Sequence, residues 1–390
     1  MAVDYALMRN SQLGRRDFLI GMTGLTAALA RRSASGASAP TWMYVGSFTG
    51  DGRGHGEGLS VYHRASESDR WQRVQLLKDL ADPSFVIVDR RRGCLYTAHG
   101  DGTQATAYAI DQTNGRVRVL NQEPTGGRNG VHLAIDATGR FLVLANYATG
   151  TVALLPIEED GSLGPRRDLV TLTGTPGPHR TQQESSHPHD CPFDPSGRLV
   201  VVPDKGLDKV FVFRVDTARG ALVPGTPPDV ASRAGAGPRH ASFHPTRPFV
   251  YVINELDSTI SVYKLDVETG ALQPLQVHTT VPSSHTGNNT GAEIAVAPSG
   301  RFVYGSNRGH DSIVIFSIDQ PTGLLTSVGW EPTRGKTPRF FGLDPTGTHL
   351  YAANQNSDTV VIFRVNQTTG KLTATGETID VKSPVTIAFR

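Results

Sequence analysis

The 390-residue chain is poor in cysteine, nearly neutral and without a long apolar run. Each of these features excludes some classes of protein. Its two cysteines, Cys94 and Cys191, fall in different repeats of the pattern described below, so buried free thiols are expected rather than a disulfide framework. The formal net charge is only +2 and the basic residues are scattered, which predicts no nucleic-acid surface. A small molecule is therefore the expected partner.

Helical periodicity is also missing, and so are connections long enough to hold crossover helices. These absences exclude an α-solenoid and a two-domain α/β enzyme. The chain is instead rich in turn formers, with 42 glycines and 25 prolines, and 38% of its residues are hydrophobic. That balance is typical of many short strands joined by tight turns around a large core.

The first 39 residues differ from the rest. Arg15 and Arg16 precede an apolar run at 18–30, and small residues follow it. This order is typical of a twin-arginine signal peptide, and the run is too short to cross a bilayer, which takes about 20 residues. We expect residues 1–39 to direct export through the Tat machinery to the periplasm or the exterior. Residues 40–390 would then form a single domain with no membrane attachment after cleavage.

One unit recurs from residue 83 onward. An apolar strand, a tight turn, a second apolar strand, a third strand and a glycine turn before a fourth strand follow one another. The second strands begin at intervals of roughly 46 to 58 residues, which is the period of a propeller blade. Six full units start their second strands at Gly93, Gly139, Gly197, Arg247, Gly300 and Gly347.

The two ends of the repeat region complete each other. Residues 384–389 have the pattern of a first strand without its blade, and residues 42–75 have the pattern of a blade without its first strand. Together they make a seventh blade. The sequence therefore predicts an all-β, seven-bladed β-propeller whose ring is closed by the C-terminal strand pairing with the N-terminal blade. A closed ring exposes no obligatory edge, so a monomer is expected.

Reactive side chains gather on one predicted face of this ring. Because blade strands alternate in direction, the starts of first strands and the ends of second strands share a face. Glu293 lies in a predicted innermost strand, where its carboxylate must face the channel or pair with a polar partner such as an arginine. The other candidates at these strand ends are His187, His189, Arg239, His240, Glu255, Asn289, Arg308, His310 and Arg339.

Some of these residues also have structural interpretations. Arg239, Glu255 and Arg308 could form an ion network that ties neighbouring blades together. His187 and His189 have a spacing seen among metal ligands, but no third ligand stands at a familiar interval, so no metal site is predicted. The sequence does not decide whether these residues link neighbouring blades or bind a ligand.

Taken as a set, the motifs of the chain resemble those of the propeller-type 6-phosphogluconolactonases and the related fungal carboxy-muconate cyclases. The resemblance covers residues 41–390. It implies that His189, Arg239, Glu255 and Arg308 form the catalytic site and that no metal or other cofactor is required. The export signal argues against a phosphorylated substrate. The resemblance rests on the motifs at 44–47, 145–147, 187–189, 237–240, 244–245, 254–255, 288–294, 307–308 and 337–339.

The predicted reaction is hydrolysis of a sugar lactone by direct attack of water. His189 or Glu255 would be the base, and the imidazole is favoured because its ordinary pKa lies near the working pH. Arg239 and Arg308 would hold the oxyanion or an acidic group of the substrate. The predicted substrate-binding residues are His187, His240, Asn289, Glu293, His310 and Arg339.

Other functions fit part of the pattern. No Gly-x-Ser-x-Gly motif is present, so an acyl-enzyme route is not expected. A cyclase or cycloisomerase acting on an unsaturated dicarboxylate could use the same histidine and arginines. A non-enzymatic propeller that binds other molecules on this face is the third alternative.

Overall fold

A computed structural model describes residues 41–50, 52–78 and 80–390. The predicted signal segment, residues 1–39, lies outside the described residues. Within those ranges, no helix has the length and apolar character needed to cross a membrane.

Seven antiparallel sheets make up the described chain, and each corresponds to one blade. In the first three blades the strands are β1 (Trp42–Ser47), β2 (Leu59–His63), β3 (Gln72–Leu77) and β27 (Pro384–Phe389); β4 (Pro83–Asp89), β5 (Cys94–His99), β6 (Gln104–Ile110) and β7 (Val117–Pro124); and β8 (Gly130–Ile135), β9 (Phe141–Asn146), β10 (Thr151–Pro156) and β11 (Asp168–Thr171).

Two short 3₁₀ turns lie at Tyr147–Thr149 and Gln355–Ser357. The remaining four blades follow in chain order. Their strands are β12 (Leu199–Asp204), β13 (Lys209–Asp216) and β14 (Ala221–Ala231); β15 (Pro238–Phe243), β16 (Phe249–Asn254), β17 (Thr259–Leu265) and β18 (Leu272–Thr279); β19 (Thr290–Val296), β20 (Phe302–Arg308), β21 (Ser312–Ile318) and β22 (Leu325–Pro332); and β23 (Pro338–Leu343), β24 (His349–Asn354), β25 (Thr359–Val365) and β26 (Leu372–Asp380).

Tyrosine hydroxyls tie neighbouring blades together at equivalent places. In four blades a buried tyrosine donates a hydrogen bond to the carbonyl of a glycine in a turn of the next blade. Each of these glycines has a positive φ, a conformation that a side chain would strain. Burial raises the pKa of all four tyrosines, so their hydroxyls stay protonated and can donate. The pairs, at 2.9–3.0 Å, are Tyr44 with Gly115, Tyr96 with Gly161, Tyr251 with Gly323, and Tyr304 with Gly370.

The ring closes as the sequence predicts. β27 pairs antiparallel with β1, and Val45 faces Ile387 in the ladder. Thr386 also links the closing strand to the next blade, since its Oγ1 accepts a hydrogen bond from the Val86 amide at 3.3 Å. The C-terminal strand therefore supplies the innermost position of the first blade.

Removing residues 384–390 is expected to destabilise the ring strongly. The deletion exposes the ladder edge of β1 and removes the buried side chains of Val385 and Ile387, each worth about 1.5–3 kcal/mol. Calorimetry should record a large fall in Tm and earlier aggregation. A synthetic peptide of residues 384–390 added in trans should raise the Tm again. An unchanged Tm would mean that closure by β27 contributes little.

The fourth blade differs from the prediction, which gave it a regular first strand. Its sheet has three strands, and the inner position is occupied by residues 187–194, which make only isolated bridges, Pro188 with Asp204 and Phe193 with Val200. Pro188 and Pro192 lack the N–H that a continuous ladder needs. The segment that carries His189 is therefore irregular.

Candidate active site

Inner strands begin with a β-bulge, and the side chain of the residue at the bulge lines the channel. The pairing register shifts near the start of the inner strand in six blades, and in five of them the shift passes over a single residue. β-bulges of this kind leave one residue unpaired and turn its side chain. Together with one residue of the irregular fourth-blade segment, these residues line one small cavity: Ser84, Val131, His189, Arg239, Arg339 and Val385.

A larger cavity of about 340 Å³ adjoins the small one and shares His189 and Arg339 with it. Four more of its polar lining residues follow second strands, namely Tyr147, Lys205, Glu255 and Gln355. Starts of inner strands and ends of second strands thus meet at one mouth of the ring, on the predicted face.

A buried ion cluster joins the fourth, fifth and sixth blades at this mouth. Glu255 accepts a hydrogen bond from Lys205 Nζ at 2.9 Å and from Arg239 Nε at 2.9 Å. Arg308 NH2 lies 3.2 Å from the same carboxylate and also donates to the carbonyl of Gly291 at 3.0 Å. One carboxylate therefore neutralises part of the charge of three cations.

The cations of the cluster determine whether Glu255 can accept a proton. Burial alone would raise the pKa of Glu255, but the attraction of Arg308, Lys205 and Arg239 lowers it below the ordinary value. A carboxylate held ionised in this way has little tendency to accept a proton near neutral pH. Burial and the neighbouring Arg308 lower the pKa of Arg239 to about 10, which leaves the guanidinium charged. Glu255 is thus suited to orient the cations and unsuited to act as the base.

Three other side chains form a chain of hydrogen bonds that leads inward from the cavity. His189 Nδ1 lies 3.2 Å from His240 Nε2, and His240 Nδ1 lies 3.0 Å from Glu293 Oε1. His189 Nε2 has no hydrogen-bond partner among the described residues, and the ring lines both cavities. The free nitrogen of His189 is therefore the one available to a bound molecule.

The imidazoles of His189 and His240 are both held neutral. Burial lowers the pKa of His189 well below its usual value, and nearby Arg239 lowers it further. Burial and Arg239 act on the pKa of His240 in the same direction. A neutral imidazole carries one N–H and one lone pair, so each ring donates one hydrogen bond and accepts another.

Glu293 has a different environment from Glu255. Its side chain is buried, Oε1 accepts a hydrogen bond from the Ile294 amide at 2.9 Å, and Oε2 is buried without a partner. Burial raises the pKa of Glu293 to about 7, although Arg239 opposes the shift. Glu293 lies outside the lining of both cavities, and its side chain contacts His240.

Arg339 is the cavity-lining cation that has no counter-ion among the described residues. Its guanidinium makes no ion pair or side-chain hydrogen bond with any described residue and lies over the ring of Phe48, 4.9 Å from its centroid. Burial, Arg239 and Arg308 lower its pKa, as expected for a cation without a counter-ion, yet a guanidinium stays protonated in proteins. Because Arg339 lines both cavities, it is placed to meet an anionic group.

Three predicted substrate-binding residues lie away from both cavities. Asn289 Nδ2 donates to Asn307 Oδ1 at 3.0 Å, and its Oδ1 accepts the His310 amide at 3.0 Å. His310 Nδ1 contacts Ser312 Oγ at 2.7 Å. His187 stacks on Tyr147 with a centroid distance of 4.4 Å, one layer outside the lining. These three side chains therefore contact neighbouring residues outside the lining of the two cavities.

Sequence reasoning missed several residues of the site. Phe48 and Arg53 line the cavity from the β1–β2 connection, which carries no motif. Lys205 directly follows the second strand of the fourth blade but is not among the candidates named from the sequence. A detectable signal was the proline that precedes most of the small-cavity residues, at positions 83, 188, 238, 338 and 384. No group of three His, Cys, Asp or Glu side chains among the described residues could hold a metal ion.

Comparison with known proteins gives the same result at the level of family. A sequence profile of the family described as Lactonase, 7-bladed beta-propeller matches residues 42–389. A 6-phosphogluconolactonase of Bacillus subtilis (strain 168) is 35% identical over 299 residues, which cover 76% of this chain and 83% of that protein. A solved periplasmic gluconolactonase of Pseudomonas aeruginosa, PpgL, superposes with a TM-score of 0.82 at 29% identity, over 89% of this chain and 98% of that one. The chain therefore belongs to the seven-bladed β-propeller lactonase family.

Proposed function

We propose that the protein hydrolyses the lactone of a sugar acid by direct attack of water, with His189 Nε2 as the general base. The proposal depends on one observation above the others. A neutral histidine presents a free nitrogen to a cavity that also contains an unpaired guanidinium, that of Arg339. Lactone opening needs a base for water and a positive group for the oxyanion, and the cavity holds both.

In the proposed sequence of steps, the water oxygen bonds to the lactone carbonyl carbon while His189 Nε2 takes a proton from it. Arg339 and Arg239 stabilise the negative charge that develops on the carbonyl oxygen. The bond between the carbonyl carbon and the ring oxygen then breaks, and His189 returns the proton to that oxygen. The product is the open hydroxy acid. Because the guanidinium groups stabilise the oxyanion, activity is expected to survive EDTA.

The deciding experiment is pH-stat hydrolysis by residues 41–390 of glucono-δ-lactone and of its 6-phosphate. Each rate is compared with the spontaneous opening of the same lactone. Opening well above background supports the proposal, and the preferred substrate answers whether a phosphate is recognised. If neither lactone opens but a carboxymuconate is converted, the cyclase alternative replaces the lactonase. If no substrate reacts, the mouth is a binding surface.

Replacing Arg339 with methionine is expected to lower kcat/KM for lactone opening about 10²-fold. Methionine keeps much of the apolar contact with Phe48 but removes the charge that faces the oxyanion, and one such donor is worth about 10²–10³ in rate. Steady-state kinetics on both lactones measure the loss. The control is Arg198→Met, which removes an exposed guanidinium paired with Glu268 at 3.7 Å on the turn face. Equal activity of the two variants would remove Arg339 from the mechanism.

We also propose that the protein is exported and acts on a lactone without a phosphate. The Arg15-Arg16 signal supports export, and a relative of this chain is named a periplasmic gluconolactonase. Phosphorylated sugar lactones arise inside the cell, so an exported enzyme would meet the neutral form. Fractionation of cells that express the full chain, with Arg15→Lys and Arg16→Lys as the control, tests the export step.

A further inference from the structure

The hydrogen-bonded chain of His189, His240 and Glu293 can exist in two arrangements. When Glu293 is ionised, His240 Nδ1–H donates to Oε1, and His189 Nδ1–H donates to His240 Nε2. His189 Nε2 then carries a lone pair toward the cavity. When Glu293 is protonated on Oε1, both hydrogen bonds reverse, and His189 Nε2 carries a hydrogen. The two arrangements differ by one proton, and both rings are neutral in each.

We propose that the proton which His189 takes from water comes to rest on Glu293, and that His240 conducts it there. This inference rests on the function proposed above. As water attacks, its proton bonds to His189 Nε2, the Nδ1 proton of His189 moves to His240 Nε2, and the Nδ1 proton of His240 moves to Glu293 Oε1. The same three transfers run backward when the ring oxygen leaves. Glu293 is thus a positioning residue that acts through His240.

The charges around His189 explain why the proton would not stay there. Arg239, Arg339 and Lys205 all act on His189, and an imidazolium among three cations would be strongly disfavoured. Transfer to Glu293 neutralises a carboxylate and leaves both rings uncharged. The proton therefore comes to rest on an anion, and no imidazolium has to persist beside the cations.

Glu293 has the surroundings that this role needs. The titratable groups that act on it lie on the inner strands of three other blades: Arg239 and His240 of the fifth, Arg339 of the seventh and His132 of the third. Its buried Oε2 has no donor to hold the carboxylate permanently ionised. Burial raises the pKa of Glu293 to about 7, so the group can both take and release a proton near neutral pH.

Glu293→Gln is the direct test. The amide oxygen of glutamine can still accept from His240 Nδ1–H and the Ile294 amide, so the orientation of His189 is kept, but it cannot take the proton. We expect kcat for lactone opening to fall about 10²-fold with little change in KM. In the wild type, activity is expected to fall as the pH drops through about 7, because protonated Glu293 reverses the chain. This acid limb should disappear in the variant.

The matched control is Glu331→Gln, which removes an outer carboxylate from the same sheet, where it pairs with Arg334 at 2.8 Å. It should keep both the rate and the acid limb. An acid limb near pH 7 that persists in Glu293→Gln, or an unchanged kcat, would overturn the relay.

A spectroscopic titration separates failure of the relay from failure of the lactonase function. Infrared difference spectra between pH 6 and pH 8 should contain a protonated-carboxyl band that is absent from Glu293→Gln. Nitrogen NMR should report a change of tautomer at His189 without an imidazolium. If the wild type opens no lactone but both signals appear, the relay stands and the proposed function fails. If the lactone opens but neither signal appears, the relay fails alone.

Discussion

His189→Ala is expected to lower kcat for lactone opening by about 10²–10⁴-fold, the usual contribution of a general base. The variant removes the one imidazole among the described lining residues of the larger cavity, and the carboxylate in that lining, Glu255, is held ionised by three cations. KM should change little, because Arg339 and Lys205 remain. Stopped-flow or pH-stat kinetics with correction for spontaneous hydrolysis give both constants.

A loss of stability could imitate this effect, so a second buried histidine serves as the control. His244 is 1% exposed, and its Nε2 donates to the Gly300 carbonyl at 3.0 Å on the opposite, turn-bearing face. His244→Ala should lower Tm at least as much as His189→Ala while leaving kcat unchanged. A loss of less than tenfold in His189→Ala would assign the proton transfer to another group.

The fold could be predicted from the sequence because the repeated unit is local. Each second strand and each turn is read from adjacent residues, and the leftover strand at 384–389 has only one partner available. The irregular fourth blade was not predicted, because a first strand was inferred at 187–194 from the place of this segment in the repeat. Its two prolines, which prevent a ladder, were the overlooked signal.

The site was predicted in part for the same reason. Alternating strand direction placed His189, Arg239, Glu255 and Arg339 on one face, and the structure brings them to one mouth. Which side chain bonds to which could not be predicted, because those contacts cross from blade to blade. The sequence places Glu255 at a strand end and Glu293 within an innermost strand. Only the structure shows that three cations surround Glu255 while Glu293 meets a neutral histidine.

The carboxylates of Glu255 and Glu293 have different roles in the site. Glu255 stays ionised and fixes the cations, whereas Glu293 is poised to change its charge. Two acidic groups whose environments move their pKa values in opposite directions are a common basis for separate roles in one site. Neutralisation of the cations and acceptance of a proton are therefore assigned to different carboxylates.

Glu255→Gln is expected to destabilise the fold by about 3–5 kcal/mol at pH 7, because it leaves Lys205, Arg239 and Arg308 buried without their shared counter-ion. The folded-state pKa of Glu255 is lowered, so its stabilising effect is present above the unfolded value near 4.3 and is lost as pH falls through the folded value. Urea unfolding at pH 7 and in acid should therefore reveal a difference that shrinks only below about pH 4.

Adding Lys205→Met to Glu255→Gln should recover part of the lost stability, because it removes one of the three uncompensated charges. The single variant should also open lactone more slowly, since Arg239 and Arg308 lose the anion that orients them, but its acid limb near pH 7 should remain. The opposite pattern would be full stability with neither activity nor an acid limb. That result would make Glu255 the base and leave His189 to orient the water.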